Sequence, residues 1–384
     1  MRKRVKEKGH DTRSALSAVS SAFKAFRPAR EVLKRVRAVP TRFAQLDHAV
    51  RVGGFPIERF SLVHGPSNEG KTMFMIGLMD SFLTRDHFVL FVDAERTTPV
   101  QWAESLMGSM VDHPGFFADR PVSYEDTIAN VRNFLNTVAE LRAKNKVHED
   151  TSALVVVDSL RKLVPSDLMK EILKSEADGA NIKGGRDRGA QLKAKMNSAW
   201  CDELVPLLEH ANAGFIAVAR EMQDPDADMW AKKFGNDYKV GGGSSIYYDA
   251  SLVMRIERAK WITDGEGRDR LTYGEQHRIT IKKTKVAGKD DKTAVCFFHS
   301  SNGVLIPAGF DRARDVLDLA ERFGIVEKRG SVYSYNGEKI SSGQHNVVKI
   351  LSASPEHLAM IEKDVRAKFE ETPPVEITED GEVL

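Results

Sequence analysis

Phe60-Ser61-Leu62-Val63-His64-Gly65-Pro66-Ser67-Asn68-Glu69-Gly70-Lys71-Thr72 runs an apolar strand into the pattern GxxxxGK[ST], and an apolar helical stretch, TMFMIGLMDSFL, follows from Thr72. Glycines at such spacing let successive backbone N-H groups curl around phosphate oxygens. The lysine then reaches the outer phosphates, and the threonine hydroxyl ligates Mg²⁺. With ordinary residue usage the pattern arises by chance in roughly 1 of 100 chains of this length, and the strand before it and helix after it lower that rate further. Gly65, Pro66, Ser67, Asn68, Glu69, Gly70, Lys71 and Thr72 are therefore expected to hold a nucleoside triphosphate with Mg²⁺.

The 384 residues suffice for one large α/β domain and one or two small ones. No apolar run reaches the roughly 18 residues of a membrane span, and the N-terminus MRKRVKEKGHD lacks a secretory signal's apolar stretch. No membrane association and a reducing, cytoplasmic location are expected. Cys201 and Cys296 have no CxxC partner, so neither a disulfide framework nor structural zinc is supported. The formal net charge is +2, but unevenly spread. Residues 1–40 are strongly basic, whereas the tail carries Glu370, Glu371, Glu376, Glu379, Asp380 and Glu382.

Four segments follow: a basic arm (1–40), an ATPase core (41–308), a small α+β domain (309–370) and an acidic disordered tail (371–384). In the arm, Ala15, Leu16, Val19, Phe23 and Phe26 fall near one helical face until Pro28 ends the helix. In the core, the strands SLVHG, FVLFVDAE, SALVVVDS, AGFIAVAR, ASLVMRIE and HRITIKK alternate with helical stretches, the signature of a mostly parallel sheet covered on both faces. After Phe310 the expected order is a helix (ARDVLDLAERFG), a short helix or turn, two strands (SVYSY, EKIS) and one closing helix, His345 to Phe369.

Strand Leu154-Val155-Val156-Val157 ends in Asp158, where such a site needs a carboxylate for the Mg²⁺ water shell. The strand before it delivers Glu95 to the same carboxyl edge, as a candidate to orient or deprotonate water; Asp93 is read as structural. Two long polar connections interrupt the core, from about Pro165 to Ala190 and from about Met222 to Gly243. The first holds Lys170, Lys174, Lys183, Arg186 and Arg188; the second Trp230, Lys232, Lys233, Phe234, Tyr238 and Lys239, closed by Gly241-Gly242-Gly243. Cations track phosphates and rings stack on bases, so these loops suit single-stranded DNA.

Taken in order, GPSNEGKT, FVDAE, VVVDSL, the loop with Phe234-Gly235-Asn236 closing in GGGSSIYYDAS, ITIKKTK and GSVYSYNGEKISSGQHN resemble RecA-type strand-exchange recombinases over about Thr41 to Phe369, most like the phage members related to UvsX. The resemblance implies a RecA-like P-loop α/β core and an ATP-dependent recombinase that hydrolyses ATP on DNA. It would form a helical homo-oligomeric filament on single-stranded DNA and pair it with double-stranded DNA, with loader or single-strand-binding proteins as further partners. Residue by residue, Lys71 and Thr72 take triphosphate and Mg²⁺, Glu95 activates water and Asp158 completes the metal site. Lys283 and Lys285 match a K-x-K pair that reaches a neighbour's ATP. The two connections match DNA-contacting loops, with Gly242 and Gly243 in the second, and Phe23 and Tyr248 fall at protomer contacts.

The chain departs from that pattern at Ala219-Arg220, where RecA proteins place Asn-Gln and UvsX-like proteins Asn-His. Arg220 then either contacts the γ-phosphate as a cation or pairs with Glu221. Trp102 stands in for the base-stacking aromatic. Glu69 is an unusual carboxylate for a phosphate loop, acceptable if its side chain points outward. Two alternatives share much of this chemistry: a ring-forming RecA-superfamily helicase, and a non-catalytic DNA-binding accessory subunit.

Overall fold

The computed structural model describes residues 35–170, 185–224, 226–229, 238–241, 244–264, 271–286, 292–299 and 309–369. The expected arm helix with Phe23, the acidic tail, and Lys183, Trp230, Lys232, Lys233, Phe234, Gly242 and Gly243 lie outside those residues.

In chain order the elements begin with β1 (Ala38–Val39), α1 (Ala44–Val50), β2 (Phe55–Pro56), β3 (Phe60–His64), α2 (Lys71–Leu83), β4 (Phe88–Asp93), α3 (Val100–Met107), β5 (Phe116–Asp119), α4 (Tyr124–Ala143) and β6 (Ala153–Asp158). After them come α5 (Gly185–Ala211), β7 (Ala213–Val218), β8 (Glu221–Gln223), β9 (Tyr238–Val240), α6 (Ser244–Asp249), β10 (Leu252–Asp264), β11 (Leu271–Thr284), β12 (Lys292–His299) and β13 (Gly309–Phe310). The last stretch holds α7 (Arg312–Arg322), β14 (Val326–Arg329), β15 (Val332–Tyr335), β16 (Glu338–Ser342), α8 (Gln344–Ala353) and α9 (Pro355–Ala367).

Among the described residues nine strands form one sheet, ordered β13-β12-β11-β10-β3-β7-β6-β4-β5. The five strands β3 to β7 and the start of β10 pair in parallel, and β10 to β13 pair antiparallel. Strands β3, β6 and β7 are buried along their whole length, which explains their unbroken apolar runs: helices cover both faces, so no solvent side demands alternation. On one face Tyr124, Trp200, Leu204 and Phe215 join a single apolar core. On the other lies α2, buried at every residue from Phe74 to Leu83. Gly77 permits this burial, since a Cβ there would sit 2.6 Å from the Phe43 ring and 2.7 Å from Phe310.

The parallel register sets Asp93 beside Asp158 on adjacent strands and Val63 beside Val218. Everything that follows β3, β4, β6 and β7 therefore leaves from one edge, where ligands of open α/β sheets collect.

Two expectations for the C-terminal region need correction. The short helix or turn after α7 is a strand, β14, which completes a three-stranded antiparallel sheet. The single closing helix is two helices, α8 and α9, broken at Ser354, whose ψ of 78° leaves the helical region. The cause is Pro355, which disfavours helical geometry in the residue before it yet suits the first turn of the next helix. Gly309–Phe310 still hydrogen-bonds to the large sheet, and the C-terminal apolar cluster begins with α7. Ala44 of α1 is part of that same cluster.

Both long connections also hold more regular structure than expected. Residues 185–190 begin the 27-residue α5, and the ends of the second connection pair as the ribbon β8–β9. No described helix is long and apolar enough to cross a membrane.

Candidate nucleotide site

At the end of β3 the chain turns through Gly65, whose absent Cβ would lie 2.0 Å from the Ile256 carbonyl oxygen. The strand neighbour β10 thus forces glycine there. Gly70, with φ of 84°, caps the start of α2 in the left-handed region that glycine enters freely. Lys71 opens α2 and its Nζ donates to Gly65 O at 3.0 Å and to Pro66 O. Burial pushes Lys71 below the usual lysine range, opposed by the carboxylates of Asp158, Glu221, Glu95 and Glu69. The Thr72 hydroxyl donates to Asp158 Oδ2 at 2.6 Å.

Asp158 is buried at the end of β6. Burial, aided by the Glu95 and Asp93 carboxylates, pushes its acid up to about 6 against the Thr72 hydrogen bond. Glu95 is held beside it: its backbone N-H donates to Asp158 O at 3.1 Å and its Oε1 accepts from Ser159 Oγ at 2.7 Å. Asp93 is occupied elsewhere, accepting from Arg120 Nε at 3.1 Å and from Thr97 N at 3.3 Å.

A cavity of about 480 Å³ joins Ser67 to Thr72, Glu95, Trp102, Asp158 and Arg220. Elements far apart in sequence thus bring most of the expected nucleotide residues to one hollow, whose walls also carry Arg161, Lys162, Arg258 and Glu275. The residues fit a magnesium nucleotide. Thr72 gives its hydrogen to Asp158, which leaves its oxygen lone pairs available for a cation. Among the described residues no three His, Cys, Asp or Glu side chains form a metal cage.

Other expected residues sit apart from this cavity. Lys283 Nζ donates to Tyr247 O at 2.7 Å and Tyr248 O at 2.6 Å, and Lys285 Nζ to Tyr248 O at 2.7 Å. The two lysines cap the carbonyl end of α6, a favourable place for cations. Tyr248 is 67% exposed. Lys239 pairs with Asp224 at 2.7 Å across the β8–β9 ribbon. Arg186 and Arg188 fall in the first turns of α5.

Arg220 is exposed at the cavity and makes no ion pair among the described residues. The alternative of an Arg220–Glu221 pair is not what the structure holds, because Glu221 is taken by His64 Nδ1 at 2.7 Å and Arg255 Nε at 2.8 Å. Burial works to raise Glu221, but those two hydrogen bonds outweigh it and hold its carboxyl below the ordinary range. Arg255 also lies 4.8 Å from the Tyr238 ring centroid. This buried cluster ties the residue before Gly65 to both strands of the ribbon, and sequence reasoning missed it.

It also missed the wall behind the phosphate loop. Glu69 is turned towards Arg258: Arg258 N donates to Glu69 Oε2 at 2.5 Å, and Arg258 Nη2 to Asn68 O at 2.7 Å, and both residues line the cavity. Arg258 Nε in turn donates to Glu275 Oε2 at 2.9 Å, and His277 Nε2 lies 2.9 Å from the same oxygen.

Comparison with known proteins places this geometry. The model of the RecA N-terminal domain matches residues 24–303, and that of the RecA C-terminal domain residues 314–370. The chain belongs to the RecA family. It is 28% identical over 340 residues to Protein RecA of Syntrophus aciditrophicus (strain SB), covering 88% of this chain and 87% of that one. Protein RecA of Thioalkalivibrio sulfidiphilus (strain HL-EbGR7) is 28% identical over 336 residues, covering 88% and 85%. Protein RecA of Mannheimia haemolytica is 26% identical over 347 residues, covering 90% and 83%. Membership in the RecA family carries a recombinase function and DNA-dependent ATP hydrolysis, and the helicase and accessory readings are not favoured.

Proposed function

We propose that this RecA-family chain binds ATP with Mg²⁺ in the cavity between β3, β4 and β6, polymerises on single-stranded DNA, and exchanges strands with a homologous duplex. The observation that carries this reading is the meeting of Lys71, Thr72, Asp158 and Glu95 at one sheet edge. Lys71 neutralises the outer phosphates, Thr72 and Asp158 hold the metal with its waters, and Glu95, fixed by Ser159, orients the attacking water. Bound Mg²⁺ supplies charge neutralisation on the phosphates. Trp102 offers a face for the base, and Arg220 a cation for the γ-phosphate where its relatives place an amide.

Lys283 and Lys285, gathered at the exposed end of α6 rather than in the cavity of their own protomer, serve the neighbour's site. Such cations stabilise the phosphoryl group in transit. Lys283→Ala is expected to abolish turnover only where protomers are assembled. Turnover of filaments and of protomers kept monomeric checks it, and equal losses in both contradict a role in trans.

The two polar connections grip the DNA backbone through their lysines and arginines. Affinity for single-stranded DNA is therefore expected to fall steeply and log-linearly with salt. A titration between low and moderate salt measures the slope, and a flat response points to a different binding surface. Electron microscopy with single-stranded DNA and a non-hydrolysable ATP analogue tests the whole reading. Helical filaments are expected; closed rings would overturn it.

A further inference from the structure

A carboxylate inside a phosphate-binding loop is an electrostatic problem, because a nucleoside triphosphate brings several negative charges against it. The loop here carries one, Glu69, which lines the cavity, and the structure shows what it pairs with. Both Glu69 carboxylate oxygens turn towards Arg258, Oε2 to its backbone N-H at 2.5 Å and Oε1 to its Nη1 at 3.8 Å. The guanidinium also donates to the loop carbonyl of Asn68 at 2.7 Å, a residue at φ of 61°, in the left-handed region. The backbone N-H of Arg258 thus holds the carboxylate, while its guanidinium holds the loop backbone beside it and supplies the carboxylate's counter-charge at 3.8 Å.

Arg258 is itself held by two further groups. Glu275 accepts from its Nε at 2.9 Å, and the Trp261 ring centroid lies 4.2 Å from its Cζ. His277, whose side chain is fully buried, touches Glu275 with one ring nitrogen and Glu69 O with the other, at 2.9 Å and 3.1 Å. The loop rests directly on that imidazole, since a Cβ at Gly70 would lie 2.4 Å from His277 Cε1. The antiparallel ribbon β10–β11 therefore backs the phosphate loop, and its Arg258 and Glu275 also line the cavity.

We infer that Arg258 is a positioning residue for nucleotide binding, which supplies the counter-charge of the Glu69 carboxylate beside the phosphates. The inference rests on the reading of the cavity as a nucleotide site. Without the guanidinium the carboxylate keeps its backbone N-H but loses its counter-charge, and like-charge repulsion then weakens triphosphate binding. The effect belongs to the pair: Arg258 matters for binding because Glu69 is acidic.

The test measures binding of a fluorescent non-hydrolysable ATP analogue to the full chain, to Arg258→Gln, to Glu69→Ser and to the double variant, with a thermal melt of each. Arg258→Gln is expected to weaken binding by at least about tenfold in the parent, and the same change by less than about threefold in the Glu69→Ser background. Equal losses in both backgrounds overturn the inference, as does unaltered binding by Arg258→Gln. A fold lost in Arg258→Gln and not restored by Glu69→Ser also overturns it, because Arg258 would then be holding the ribbon together. A folded parent chain that binds no analogue overturns the nucleotide site itself and this inference with it. Parent binding that survives Arg258→Gln overturns only the role of Arg258.

Discussion

Lys71→Ala is expected to lower DNA-stimulated ATP hydrolysis by at least about 100-fold, the scale on which one preorganised charge contact to a transition state counts. The fold should survive. Lys71 is the first residue of α2, and alanine is the best helix former. Glu95→Gln should cut turnover by about 10²- to 10⁴-fold through loss of the base, while its amide oxygen still accepts from Ser159. The two variants separate in binding. Lys71→Ala should lose affinity for the nucleotide, because the cation touches the ground state as well, whereas Glu95→Gln should bind the analogue about as well as the parent. Phosphate release on single-stranded DNA and equilibrium binding of the analogue check both. Normal turnover in either variant refutes the assignment.

What could be read from the chain and what could not divides along a physical line. The phosphate loop, Thr72 and the strand ends at Glu95 and Asp158 are contiguous motifs, and a parallel sheet delivers strand ends to one edge whatever the details of its packing. The braces around them depend on pairings between distant segments. Glu69 meets Arg258 across 189 residues, and His64 meets Glu221 across 157. Arg258 comes to the loop through the register of β10 against β11, which is shifted between Arg258 and Lys260. No local pattern encodes that shift. The break of the closing helix at Ser354-Pro355 is different, because the signal stood in the sequence and was outweighed by the apolar periodicity on either side.

The join between the core and the small domain gives the second large effect. Arg366 of α9 donates to Asp47 Oδ2 at 2.8 Å, to Thr41 O at 2.7 Å and to Glu362 Oε1 at 2.8 Å. Asp47 also accepts from Thr41 N and Oγ1, both at 2.7 Å, and its side chain is wholly buried. Arg366→Ala leaves that carboxylate without its cation, a change that costs about 3–5 kcal/mol for buried pairs, much more than an exposed pair is worth. The loss should depend on pH. Burial pushes Asp47 up to about 6 even with Arg366 beside it, above the roughly 3.9 of an unfolded chain. As pH rises past about 4, the unfolded chain releases this proton while the folded chain still holds it. Stability from this group is therefore lost across that window, levelling off above the folded value. Without Arg366 the folded value climbs further, so the extra cost keeps growing past pH 6. Urea midpoints of parent and Arg366→Ala should lie closer together at pH 5 than at pH 8. An equal gap at both values would mean that Asp47 is not the group left exposed to the loss. A gap worth under about 1 kcal/mol at pH 8 would put the pair in the class of surface bridges. Asp47→Asn in the Arg366→Ala background should recover part of the loss at pH 8, because the amide needs no counter-charge.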